Sequence, residues 1–355
     1  MEEKNMRRIE FHNRVEEMEE ITRLLDTEPT LITFIYGPIN SGKTELINNL
    51  IKNLPENQKV FYINLRGRFV SNYDEFIKVL FDVEHEARYG RIQEFLKPIV
   101  NVLPGSYHGI PIPKDMFLKL FEEKDVEDAF VYIETVLRAF YESGNVPVLI
   151  IDELQVIGDL KVDDLLIYKL FNFFIRLTKE LHLAHVFTIS SDSLFIEEVH
   201  SEAMLEGRCR YLLVDDFDRE TTAAFLEKYG FTDDETAVAW EYCGGKPICL
   251  VELVNAKLNG KDVESESKKL LKIRTSQIFS IFDEISLGKV EYSEKSILEE
   301  FKNFEQEEML QYGRINKEKI FLVGRNVFFI DPTQRTIKPQ SRLNLLAIRE
   351  VMKSV

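Results

Sequence analysis

The sequence predicts a doubly wound α/β domain, then a helical unit, then a C-terminal α+β module. Three observations carry this reading. Short, almost uniformly apolar runs alternate with longer helical stretches between about residues 31 and 215; no such run follows for about a hundred residues; apolar runs then return around a turn near the C-terminus. Runs of four to six apolar residues without polar alternation mark strands covered on both faces, and strand–helix alternation supplies the crossovers that a parallel sheet needs.

The strand-like runs are LITFIY (Leu31–Tyr36), VFYINL (Val60–Leu65), VPVLII (Val146–Ile151), HVFTIS (His185–Ser190) and YLLV (Tyr211–Val214). Helical stretches fall between them at Thr44–Leu54, Val126–Ser143 and Asp164–Leu181. The rhythm breaks between about 83 and 115, where PIVNVLPGSYHGIPIPKD is rich in Pro and Gly and reads as an inserted hairpin or loop. After Val214 come helices over Arg219–Tyr229, Asp233–Tyr242, Pro247–Leu258 and Ser265–Phe282. A helix over Glu294–Gln311 then precedes KIFLVG, NVFFID, a turn at Pro332–Arg335, TIKPQS and a last helix, Arg342–Met352. Helices followed by a hairpin suggest a winged-helix-like module. The expected division is 1–215 for the α/β core, 216–285 for a helical lid and 286–355 for the C-terminal module.

Composition removes several function classes. With 45% hydrophobic and 30% charged residues the chain is globular rather than disordered. No apolar run approaches the roughly 18 residues of a membrane span; the densest, Leu165–Leu177, is broken by Lys169. The N-terminus shows no apolar leader, and Cys209, Cys243 and Cys249 lack metal spacing, so a reducing cytoplasm is expected. Up to residue 265 there are 29 basic against 48 acidic residues, and beyond it 16 against 13. The long acidic part excludes a whole-chain nucleic-acid binder and leaves only the C-terminal part open to one.

The sharpest motif is GPINSGKT, Gly37–Thr44, placed directly after LITFIY and opening a helix. This is a P-loop in its required context. Gly37 and Gly42 let the backbone curl, so that N–H groups of Pro38–Gly42 neighbours (Ile39, Asn40, Ser41) point inward at phosphate oxygens. Lys43 reaches the outer phosphates, Thr44 offers its hydroxyl to Mg²⁺, and Glu45 follows in the first helical turn. The second motif is VLIIDE, in which a strand delivers Asp152 to the carboxyl edge of the sheet as a Mg²⁺ partner and Glu153 as general base. A glutamate at this place, and the absence of a guanine-reading NKxD, favour ATP over GTP. Ser190 and Ser191, at the end of HVFTIS, are candidates to sense the terminal phosphate, with Asp192 or Ser193 as the helix cap.

Together these residues resemble the archaeal ATPase family within the AAA+/STAND branch of P-loop NTPases, over about Phe11–Leu258. FHNRVEEMEEITRLL (Phe11–Leu25) resembles the family's N-terminal box, which implies an adenine-side role for Arg14; Asp152-Glu153 matches its Walker B. Glu206-Gly207-Arg208 resembles its GR step, implying an arginine finger at Arg208 or Arg210, and CGGKPICLVEL (Cys243–Leu253) resembles its GGxP helix opening, implying that Pro247 packs on the nucleotide. The family pattern has Gly-Ser where this chain has TISSDS.

The resulting expectation is an ASCE-type parallel sheet carrying an Mg-dependent ATPase that acts as a nucleotide-driven switch or remodeller. A DNA-binding initiator-like ATPase, gripping duplex DNA through the C-terminal module, is the alternative. A homo-oligomer is expected if the arginine acts in trans, a protein partner is the other use of the C-terminal module, and no membrane is involved.

Overall fold

The computed structural model describes residues 9–67, 70–84, 106–158, 161–162 and 164–354. Its centre is a six-stranded sheet built from β1 (Ile32–Tyr36), β2 (Gln58–Asn64), β4 (Ser106–His108), β6 (Val146–Asp152), β9 (His185–Ser190) and β10 (Cys209–Leu213). The order is β10-β1-β9-β6-β2-β4, and every neighbouring pair is parallel. β9 therefore stands between β1 and β6, as an additional central strand of the expected ASCE-type sheet.

Uniform apolarity in the strands has its cause in two covered faces. One face buries Phe34, Phe61, Leu149 and Ile151 under α5 (Val126–Glu142) and α6 (Leu166–Ile175); α3 (Tyr73–Leu80) and α4 (Lys114–Glu123) precede these helices, and the short strands β7 (Lys161–Val162) and β8 (Asp164–Leu165) lie between them in sequence. The other buries Ile35, Val60, Ile150 and Phe187 under α1 (Val15–Leu25) and α2 (Lys43–Asn53). Alternate residues of a strand face opposite sides, so only a strand with both sides covered is apolar throughout. The helix expected over Asp164–Leu181 starts at Leu166 and ends in a wider π turn, Arg176–Glu180.

Only the two ends of the 83–115 segment, expected as a hairpin or loop, are described, and these ends are strands. Residues 85–105 lie outside the described residues. On either side of them β3 (Phe81–Glu84) pairs with β5 (Ile110–Pro113) in parallel, and β4 adds an edge strand to the main sheet beside β2. A parallel pair cannot be a hairpin, because its ends lie at opposite edges.

The lid helices are α8 (Arg219–Glu227), α9 (Asp233–Cys243) and α10 (Pro247–Leu258), with α7 (Ser193–Ser201) before them on the core. Capping residues fix the starts of α8 and α9: Asp218 accepts from Thr221 N–H, and Thr232 with Glu235 forms a capping box. The long α11 (Val263–Ser286) serves two cores. Val263 packs with Phe225 and Leu250 of the lid, whereas Ile278, Ile281 and Phe282 pack with the C-terminal module.

That module contains α12 (Glu294–Lys302), β11 (Leu310–Gln311), α13 (Lys317–Gly324), β12 (Phe328–Asp331), β13 (Thr336–Pro339) and α14 (Arg342–Ser354). Its antiparallel sheet has the order β11-β13-β12. The helix expected over Glu294–Gln311 stops at Lys302, and Leu310–Gln311 instead pairs with Ile337 and Thr336 of β13. The apolar spacing ends with Phe304, beyond the helix end, and the polar stretch that follows it has no face to bury.

The module is docked on the core at the carboxyl edge of the sheet. Tyr36 Oη donates to Asp331 Oδ1 at 2.8 Å, Tyr312 Oη donates to Glu197 Oε2 at 2.8 Å, and Ile330 N–H donates to Ser193 Oγ at 3.3 Å. Phe329 is buried in the core cluster under the sheet.

The segment that leads from β10 into the lid is held against the turn before α10 by an equally tight contact. Phe217 N–H donates to the Gly245 carbonyl at 2.9 Å, and a Cβ at Gly245 would stand 1.7 Å from the Phe217 carbonyl oxygen. Gly245→Ala is therefore expected to cost about 2–4 kcal/mol through backbone displacement and loss of that hydrogen bond. Denaturant unfolding of the purified variant measures this; a loss below about 0.5 kcal/mol, the scale of ordinary surface substitutions, would contradict the close approach.

Candidate functional site

The site begins where β1 ends. Val214 N–H donates to the Tyr36 carbonyl at 2.7 Å, and this closure leaves no room for a side chain on residue 37: a Cβ on Gly37 would lie 2.2 Å from the Val214 carbonyl oxygen. Asn40 (φ 60°) and Gly42 (φ 95°) take left-handed conformations that curl the loop before α2. Ser41 is fully buried, with its N–H donating to the Pro38 carbonyl at 3.2 Å. Lys43 folds back over this loop, donating to the carbonyls of Gly37 (3.0 Å) and Pro38 (2.9 Å). Burial, with Lys246 nearby, pushes the Lys43 ammonium down to about 7; an anion beside it would reverse the trend.

Asp152 ends β6 fully buried. Its Oδ2 accepts from Thr44 Oγ1 at 3.0 Å and Tyr62 Oη at 2.8 Å, while Oδ1 has no partner among the described residues. Burial holds this carboxyl above its ordinary range. A hydroxyl and a carboxylate in contact, with one enclosed oxygen unpaired, fit a hard cation that binds oxygen and keeps several waters, as Mg²⁺ does. Glu153 follows in a left-handed conformation (φ 62°). Its carboxylate accepts from Arg66, through Nε at 3.1 Å and through Nη2, and from Gln155 Nε2.

The candidate sensors separate. Ser190 is buried and accepts from Asp192 N–H at 3.1 Å, whereas Ser191 lines two adjoining cavities beside the loop. Asp192 is the cap of α7, accepting from Leu194 and Phe195 N–H. Arg208 is placed at the opposite edge of the sheet: its carbonyl accepts from Ile32 N–H at 3.0 Å, at the start of β1, and its Nη1 donates to the Met204 carbonyl. Arg210 pairs with Thr33 of the same strand. The loop leaves β1 at the far end, roughly 13 Å away at the usual strand rise, so the chain does not bring either arginine to its own phosphate site.

At the other end Arg14 is buried among three segments. Its Nη2 donates to the carbonyls of Ser41 and Asp215, each at 2.6 Å, its Nη1 pairs with Glu17 at 2.7 Å, and its guanidinium lies 4.6 Å from the Phe217 ring centroid. Beside it is an apolar cavity of about 350 Å³ whose lining includes Phe11, Phe217, Phe225, Pro247, Ile248 and Val251, dimensions and chemistry suited to a planar base. Glu45 and Pro247 line both this cavity and a trough along Asn40, Gly42, Lys43 and Thr44. Pro247 is also the first residue of α10, where its missing N–H costs nothing.

A third cavity, also about 350 Å³, continues past the trough. Ile39, Asn40, Arg66, Glu153, Gln155 and Ser191 form its core side, and Val323, Gly324, Asn326 and Gln340 of the C-terminal module form the other. Tyr62, Arg66, Gln155, Lys246, Asn326 and Gln340 were not visible as site residues in the sequence. Lys246, directly before Pro247, carried the one available signal; it is buried, pairs with Asp216 at 2.8 Å and donates to the Ile39 carbonyl at 3.1 Å.

Comparison with known proteins agrees with this geometry. The chain is 46% identical over 342 residues to an uncharacterized ATP-binding protein of Pyrococcus abyssi, covering 96% of this chain and 98% of that one. It is 44% identical over 356 residues to an uncharacterized ATP-binding protein of Methanocaldococcus jannaschii, covering 98% of each. A solved Walker-type ATPase of Pyrococcus abyssi shares the fold at TM-score 0.65 and 16% identity, over 97% of both chains. Residues 264–352 match a C-terminal domain defined on another uncharacterized ATP-binding protein. Residues 11–253 match an ATPase domain found predominantly in Archaea, and the chain belongs to that ATPase family.

Proposed function

We propose that the protein is an Mg-dependent, ATP-hydrolysing switch in which the nucleotide state sets the position of the C-terminal module. One observation supports this above the others: the cavity at the phosphate end is walled by Glu153 and Ser191 on one side and by the C-terminal module on the other. A γ-phosphate there would meet both bodies at once, and a ligand shifts an equilibrium only through contacts that differ between states.

In this reading the base sits among Phe11, Phe217 and Pro247, and the phosphates run along the loop toward Lys43. Thr44 and Asp152 would hold Mg²⁺, which when bound neutralises charge on the outer phosphates. Glu153 orients and deprotonates the attacking water, and Ser191 contacts the terminal phosphate. Arg66 and Gln155 engage Glu153 in the present arrangement, so turnover requires that grip to loosen. An oligomer would supply Arg208 from a neighbouring chain.

Charge pairing weakens the duplex-DNA alternative. Lys319 pairs with Glu300, Arg325 with Glu284, Lys338 with Asp215 and Arg342 with Glu308. Arg335 and Arg349 donate to backbone carbonyls. Cations committed in this way have fewer phosphates to neutralise.

Lys43→Ala is expected to abolish ATP binding, whereas Glu153→Gln keeps binding and loses at least about a hundredfold in turnover. Phosphate release together with equilibrium nucleotide binding checks both, and wild-type turnover in Glu153→Gln would remove the general-base assignment. Turnover per chain is also expected to rise with protein concentration and to fall at least about tenfold in Arg208→Ala, with nucleotide binding unchanged. Concentration-independent turnover in the wild type rules out a finger in trans.

A further inference from the structure

The loop after β2 brings an arginine to the phosphate end of the site. Leu65 N–H donates to the Asp152 carbonyl at 3.0 Å and Arg66 N–H donates to Asn64 Oδ1 at 2.8 Å, so the backbone that carries Arg66 is fixed beside the acidic pair. The guanidinium places two donors, Nε and Nη2, on a single oxygen of Glu153, Oε1. Its Nη1 has no hydrogen-bond partner among the described residues. The Arg66 side chain is 59% exposed, against 11% for Glu153. An ion pair with one arm in solvent is weakly held, and a stronger anion nearby can draw the cation away.

A bound nucleotide puts such an anion within reach. Arg66 lines both the trough along Lys43 and Thr44 and the cavity that contains Glu153, and no other arginine among the described residues lines either space. Arg208 and Arg210 are held at the opposite edge of the sheet, and Arg14 is committed to Glu17 and two carbonyls at the base end. The chemistry matches in both directions. The N–H groups of a guanidinium only donate, and the oxygens of an ionised phosphoryl group accept. That group also carries more negative charge than a carboxylate and offers three oxygens to a planar fork.

We propose that Arg66 is a catalytic residue that contacts the terminal phosphoryl group of a bound nucleoside triphosphate in cis, leaving Glu153 to do so. This rests on the ATP reading above and names the group of this chain that reads the third phosphate. With its arginine withdrawn, Glu153 keeps Gln155 alone and is free to take a proton from the attacking water. The water oxygen bonds to the γ-phosphorus as the bond to the β–γ bridging oxygen breaks, giving ADP and inorganic phosphate. Arg66 stays protonated throughout. A diphosphate does not draw the guanidinium away, so the grip on Glu153 returns after each turnover.

The test is the affinity of the full chain for ADP and for a non-hydrolysable ATP analogue, with Mg²⁺, together with single-turnover ATP hydrolysis. In Arg66→Ala the affinity for the triphosphate analogue falls roughly tenfold or more, as for loss of a hydrogen bond to a charged group, while ADP affinity stays within about twofold of wild type. Hydrolysis of saturating ATP falls at least about a hundredfold. Arg66→Lys recovers part of both, because it keeps the charge without the fork. Glu153→Gln binds the triphosphate analogue more tightly than wild type, since a neutral amide holds the guanidinium less, and this gain disappears when Arg66→Ala is added. Thermal melting without nucleotide establishes that each variant is folded, and Arg66→Lys stands in if the truncated one is not. Equal loss of both nucleotides, an unchanged preference for the triphosphate, or faster hydrolysis in folded Arg66→Ala overturns the proposal, the last because Arg66 then only restrains Glu153. A gain in Glu153→Gln that persists in the double variant overturns the exchange. A wild-type chain that binds neither nucleotide overturns the ATP reading itself, and this is seen before any variant is compared.

Discussion

The buried guanidinium of Arg14 is the point on which the site depends. Three segments far apart in sequence, the N-terminal box, the phosphate loop and the connection from β10 to the lid, meet at this one cation through the carbonyls of Ser41 and Asp215 and the carboxylate of Glu17. Only a planar fork with several fixed donors can satisfy two carbonyls and a carboxylate at once, which an ammonium on a flexible stem does not do. The residue takes a left-handed conformation (φ 71°) to reach them. That strain is offset only because all the partners are present, so the loop, the lid connection and the floor of the base cavity are specified together.

A second convergence lies at the carboxyl edge of the sheet. Parallel strands send all their outgoing loops to one edge, and a ligand site forms there where neighbouring connections diverge. Here the edge gathers the loop after β1, the acidic pair after β6 and the serines after β9. The C-terminal module docks on the same edge. Tyr36, the last residue of β1 before Gly37, donates to Asp331, so the residue preceding the phosphate loop also holds the module. Lys338 pairs at 2.5 Å with Asp215, whose carbonyl accepts from Arg14. The nucleotide site and the module's docking surface therefore share backbone.

The parts legible in sequence were those with a local cause. β1, β6 and β9 were readable because both faces are covered, and the phosphate loop because its glycines, lysine and threonine answer to a fixed local geometry. β4 was not, since Ser106–His108 is a three-residue edge strand with only partial burial. The end of α12 was also missed, because the polar stretch Glu305–Glu308 keeps a helix-forming composition while the burial that would hold it has ended with Phe304. Among site residues, Thr44, Asp152 and Pro247 stand where their motifs imply. Arg66, Asn326 and Gln340 are brought to the site by topology and docking, neither of which leaves a mark on neighbouring residues. The GR step shows the opposite limit: a local pattern can be recognised, yet the direction of β10 decides which edge of the sheet receives Arg208.

The energetics of docking limit what a nucleotide can do to the module. The hydrogen bonds of Tyr36, Tyr312, Ile330 and Lys338 across the contact are each worth about 0.5–1.5 kcal/mol net, and burial of Phe329 adds about 1.5–3 kcal/mol. Their total, about 4–9 kcal/mol, exceeds the roughly 1.5–3 kcal/mol of one hydrogen bond to a charged group. A phosphate contact at the module's edge is too small to detach it and large enough to choose between two seated positions, since a few kcal/mol already shifts such an equilibrium by orders of magnitude. The same limit applies to Glu153, whose partners Arg66 and Gln155 line the cavity that the module closes. A small change in seating would alter the space around these three side chains without exposing Phe329. In the proposed switch, motion of the module and release of the Glu153 carboxylate would be coupled through one cavity wall.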